Sequence, residues 1–144
     1  MISLDLQTFR QIHKGGNVTG VIFLNLGGQP YPENDWSDFP VIILGWWADA
    51  LLQLEEPSRF KVRWQFMDGP FGLSINKTED ESSAGVPILT DLHRILIEAS
   101  QHVIAHCDQQ GLQSKDLDLL KDHTNRLKAN QPVQPTRLRL AADR

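Results

Sequence analysis

The chain has 144 residues, 40% hydrophobic and 22% charged, which fits one globular domain with a real core and excludes a disordered chain. The net charge of −4 is unevenly spread: residues 1–125 carry 9 Lys/Arg against 17 Asp/Glu, a net −8, and residues 126–144 carry 5 Lys/Arg against 1 Asp, a net +4. An acidic body argues against nucleic-acid binding, which needs a cationic face to release counterions, and suits a cationic protein partner.

The opening MISLDLQTFRQIHK alternates and carries Asp5, so it does not read as a signal peptide. Ile2, Leu4 and Leu6 stand at period two, the pattern of a strand with one buried face. HKGGNVTG reads as a turn, with Gly15-Gly16-Asn17 supplying residues that tolerate positive φ, and GVIFLNL as a second strand paired to the first in a hairpin. GGQPYPEND then breaks all periodicity.

Ser37 reads as the N-cap of a helix, with Asp38 in its first turn and Pro40 tolerated there. Phe39, Ile42, Ile43, Trp46, Trp47, Ala50, Leu51 and Leu54 recur at spacings of three and four, a wide apolar stripe reaching about Glu56. Both tryptophans then face largely inward, one at the edge of the stripe. Gly45 costs about 1 kcal/mol against Ala and leaves room for close approach to a sheet. This greasy segment is broken by Asp49 and is too short to span a bilayer.

RFKVRWQF alternates most cleanly: Phe60, Val62, Trp64 and Phe66 on one face, Lys61, Arg63 and Gln65 on the other, open one. The turn MDGPFG leads into FGLSI, pairing back antiparallel. After the acidic loop NKTEDESSAG, the residues Ile88, Leu92, Ile95, Leu96, Ala99, Val103 and Cys107 form a helical stripe that Gly111 ends. Ser114 caps a last helix with Leu117, Leu120, Thr124 and Leu127 on one side. The element order ββαββαα predicts an α+β fold, a two-layer domain over 1–130 with one face of an antiparallel sheet covered by helices. Residues 131–144 read as a basic, Pro-containing C-terminal tail that is either mobile or docked on the acidic body.

No residue set assembles a recognisable reaction. His102 and His106 share a helix face, but Val103 holds the place where a zinc-hydrolase helix needs a glutamate, so they read as surface histidines. Cys107, the single cysteine, excludes an internal disulfide and continues the apolar stripe as a buried thiol. No phosphate-binding glycine loop, nucleophile elbow or RNA-stacking motif is present, and no cofactor is expected. The carboxylates Glu33, Asp35 and Asp38 around Trp36 lack the alternation of a calcium loop; capping with solvated charge and a protein-binding role weigh about equally for them. Glu79-Asp80-Glu81 reads first as a solvated acidic loop.

GQPYPENDWSDFPVIILGWWADALLQL followed by FKVRWQFMDGPFGLSI, over residues 20–76, resembles small bacterial immunity proteins of polymorphic toxin systems. The resemblance implies a cytoplasmic, stoichiometric inhibitor of a toxin domain, without enzymatic activity. On that expectation Trp36 or Tyr31 anchors the partner, Glu33, Asp35 and Asp38 meet its Lys or Arg, and Glu79, Asp80 and Glu81 form a second surface. The alternatives are a small enzyme or ligand-binding domain, with a pocket between the sheet and the Trp46/Trp47 helix, and an adaptor exposing a broad apolar patch.

Overall fold

The computed structural model describes residues 2–11, 17–79, 87–132 and 135–143. The fold is α+β, with antiparallel sheets covered by three helices. Strand β1 (Ile2–Gln11) pairs antiparallel with β2 (Val18–Leu26), Ile2 facing Leu26 and Leu6 facing Ile22. The register slips by one residue between Gln7 and Arg10, a bulge on β1. Ile22, Phe23 and Leu24 are all buried, so β2 is covered on both faces.

Gly27 and Gly28 turn the chain straight back into β3 (Gln29–Tyr31), at φ +58° and +86°. Both torsions are left-handed, the requirement of a type I′ hairpin turn and the reason a Gly pair sits there. The stretch that breaks sequence periodicity thus begins with a third strand. Residues Ser37–Asp38 form β4, alongside Gly20–Val21 of β2. Ser37 is therefore not a helix cap. Pro40 is the first residue of helix α1 (Pro40–Leu54), and its ring pushes Phe39 out of helical torsions, to φ −112° and ψ 87°.

The second sheet consists of β5 (Lys61–Gln65), β6 (Gly72–Lys77) and β7 (Leu138–Ala142), with β6 in the centre and both pairings antiparallel. The expected strands thus divide between two sheets, and residues 138–142 of the basic C-terminal segment supply an edge strand. Leu138 and Leu140 register against Lys77 and Ile75, and the backbone N–H of Leu138 donates to Pro87. Phe60 lies outside β5 and is exposed, whereas Val62, Trp64 and Phe66 are buried as the alternation requires.

Helix α1 contacts both sheets, through β2 and β5. Its buried set is Pro40, Val41, Ile43, Leu44, Gly45, Trp47, Ala48, Ala50, Leu51 and Leu54; Ile42 is half-buried and Trp46 is exposed. Trp47 stacks on Trp64 at 4.8 Å and 6°, meets Phe66 edge-on, and donates its indole N–H to the carbonyl of Gln65 at 2.9 Å. A Cβ on Gly45 would meet nothing within 4 Å, so this glycine does not mark a close approach to a sheet.

Helix α2 (Leu89–Gln109) ends at Gly111, φ +67°, where Leu112 N–H donates to Cys107 and Gly111 N–H to Asp108, the Schellman arrangement. Ser114 caps α3 (Lys115–Ala129) by accepting from Leu117 N–H at 3.0 Å, and α3 packs on α1 and α2. Buried His93 links α1 to α2: Nδ1 lies 3.0 Å from the carbonyl of Leu89 and Nε2 2.6 Å from Glu55 Oε1. No helix among the described residues is long and apolar enough to cross a membrane.

Candidate functional site

Two loops meet at one end of the molecule, residues 32–36 after β3 and the turn 67–70 between β5 and β6. Asp38 joins them. It is 2% exposed, and its carboxylate accepts from the Trp36 indole N–H at 2.9 Å, from the Phe39 backbone N–H at 2.9 Å and from the Asp68 backbone N–H at 3.1 Å. Three donors on one carboxyl group form a fixed junction. Trp36 itself is half-buried, its ring edge-on to Phe71 at 5.3 Å and to Phe66 at 6.4 Å.

Tyr31 fixes the other side of the loop. It is 2% exposed, and its hydroxyl donates to the carbonyl of Asp143 at 2.6 Å and accepts from Gly72 N–H at 2.9 Å, with the Gly72 carbonyl also at 2.9 Å. The first sheet's loop is thereby tied to β6 and to the residue after β7. A Cβ on Gly72 would stand 2.6 Å from the Arg63 guanidinium, the far end of an exposed, flexible side chain that would have to move aside. Arg63 also pairs with Asp143. Burial raises the pKa of the Tyr31 hydroxyl, against the opposing hydrogen bond from Gly72.

Tyr31 and Asp38 are thus corrections to the expected contact set. Both are buried and consumed by internal hydrogen bonds, so they position the loops from beneath rather than touch a partner. Glu33 and Asp35 are exposed, and Asp35 sits at φ +57°, a left-handed torsion that Asp tolerates better than most residues. Asp68, in the turn MDGPFG, joins them, with Met67 beside it 42% exposed. The sequence carries no signal for this meeting, because the Asp38–Asp68 contact spans 30 residues. Among the described residues no Lys or Arg pairs with Glu33, Asp35 or Asp68.

Glu79 is exposed but belongs elsewhere: β6 rises at roughly 3.3 Å per residue, so Lys77 alone is about 17 Å from Gly72. Asp80 and Glu81 lie outside the described residues. His102 is exposed and His106 half-buried, and both rings pack against Phe9. Cys107 is buried, and burial pushes its thiol pKa up, so it is a packed side chain rather than an activated nucleophile. The space between the second sheet and α1 is filled where Trp47 lies on Trp64. A cleft of about 830 Å³ lies instead between β1 and α2, lined in part by Leu4, Asp5, Ile95 and Glu98.

These features define an α+β protein whose clasped loops display carboxylates without a Lys or Arg partner among the described residues. No family model, curated protein or solved structure matches the chain.

Proposed function

We propose that this chain is an immunity-type protein that neutralises a cognate bacterial toxin domain in the cytoplasm by one-to-one association, without chemistry of its own. The observation that carries the reading is the acidic lip: Glu33, Asp35 and Asp68 exposed and without a Lys or Arg partner among the described residues, with Met67 and the rim of Trp36, on loops held by buried Asp38 and Tyr31. Held loops bind without a large ordering cost, and an acidic face steers and orients a basic partner. Exposed Glu79, which lies away from the acidic lip, is a second contact residue of this reading.

Co-expression with the toxin encoded beside its gene tests the reading. The wild-type chain restores growth, and the triple change Glu33→Lys, Asp35→Lys, Asp68→Lys abolishes rescue at equal abundance. Cell death despite stable wild-type protein refutes the proposal. The cleft between β1 and α2 favours a second reading, a small ligand-binding or enzymatic domain, since its volume falls in the roughly 300–1,000 Å³ range of small-molecule sites. Saturable binding of a small molecule there, abolished by filling the cleft with Ala99→Trp, supports that alternative.

A further inference from the structure

Helix α1 is buried along most of its circumference, yet Trp46 is 46% exposed at its middle, and Leu119 on α3 opposite is 52% exposed. Between them runs a groove of about 140 Å³, whose lining includes Gly45, Trp46, Asp49, Asp116, Leu119 and His123. No lysine or arginine lines it. Among the described residues the Asp49 carboxylate receives one hydrogen bond, from the Gln53 amide to Oδ2 at 2.7 Å, and none on Oδ1. His123 is half-buried, and its Nδ1 atom, enclosed away from solvent, has no hydrogen-bond partner among the described residues. A groove this small falls below the range of small-molecule sites and suits one long side chain.

We propose that the groove between α1 and α3 takes a single arginine side chain of a protein partner. The guanidinium is planar and carries five N–H donors and no acceptor. Two carboxylates from α1 and α3, Asp49 and Asp116, line the groove and offer it acceptors. The exposed indole face of Trp46 offers stacking and a cation–π contact, and Leu119 packs the aliphatic stem. Gly45 keeps the floor open, since a Cβ there would meet nothing within 4 Å. A lysine ammonium would meet the charge but not the flat ring or the divided acceptors. A neutral apolar side chain would leave both carboxylates desolvated and unpaired. The proposal deepens the toxin-neutralising reading and rests on it for the identity of the partner; the pocket chemistry stands on the residues alone.

A two-dimensional NMR titration of the full chain with N-acetyl-arginine amide tests it, with the neutral isostere N-acetyl-citrulline amide as control. The expected result is saturable movement of the Trp46 indole and Gly45 amide signals with the arginine probe only. Asp49→Asn combined with Asp116→Asn weakens that binding at least tenfold, with an unchanged fold by circular dichroism. Equal response to citrulline, movement confined to the 32–36 and 67–70 loops, or Trp46 signals that move with protein concentration alone, as in self-association, each overturn the proposal. No toxin enters the experiment, so its failure leaves the neutralisation reading intact, and failure of growth rescue leaves the arginine pocket intact.

Discussion

Trp46 and Trp47 are neighbours in one helix, about 100° apart around its axis, and they do opposite work. Trp47 has no exposed surface; it is stacked on Trp64 and hydrogen-bonded to Gln65, and it holds α1 to the second sheet. Trp46 faces the groove between α1 and α3 with nearly half its surface in water. The contrast separates what builds the molecule from what is left for recognition. A large aromatic costs little when exposed alone, but one flanked by carboxylates across a groove has the composition of an interface anchor.

The strongest way to break the contrast is to truncate each ring in turn. Trp47→Ala removes the stack and strands a buried carbonyl, and it costs about 3–5 kcal/mol in denaturant unfolding. Trp46→Ala costs about 0.5 kcal/mol or less, as a surface change does. Equal losses would mean that the two faces of α1 are not distinct.

A second, smaller effect comes from the loop tie. Tyr31→Phe leaves the Gly72 N–H and the Asp143 carbonyl without their partner and destabilises by about 1–3 kcal/mol at neutral pH. The folded-state pKa of Tyr31 is raised above its ordinary 10.0. The unfolded chain therefore loses this proton first, so its contribution is complete below about pH 10 and falls as pH rises beyond that. Above about pH 10 the wild type loses stability more steeply than Tyr31→Phe, as equilibrium unfolding at a series of pH values would read out.

The smallest effect has the opposite sign. Gly45→Ala adds a Cβ into open space in a helix interior and stabilises by about 1 kcal/mol in the same unfolding measurement. A loss of stability would show that the groove floor is closed.

Local periodicity made most elements legible. The strand cores at 2–6 and 20–26, the alternation Val62-Trp64-Phe66, the Ser114 cap and the Gly111 terminus all follow from side chains a few residues apart, whereas the extensions to Gln11 and back to Val18 carry no clear alternation. What was hidden depends on distant partners or on ambiguous pattern. Helix α1 is apolar at nearly every position, so spacing alone cannot choose its buried face, and Val41, Leu44 and Ala48 are buried where Ile42 and Trp46 were expected. Strand β7 carries a period-two signal in Arg137-Leu138-Arg139-Leu140, obscured by Pro132 and Pro135 and by its basic charge. In the candidate site, Glu33, Asp35 and Trp36 were legible as a polar loop before a greasy helix. Tyr31 and Asp38 were recognised as important but misassigned to the surface, because their partners at Gly72, Asp143 and Asp68 are distant in sequence.

The central claim is that this protein acts by binding through a pre-held acidic surface. Calorimetric titration of the purified toxin domain encoded beside the gene, at low and high salt, tests it most directly. The account predicts one-to-one binding that weakens as salt rises, and at least tenfold weaker binding by the Glu33→Lys, Asp35→Lys, Asp68→Lys variant. Undetectable binding by the wild type, or equal affinity for wild type and variant, would contradict it.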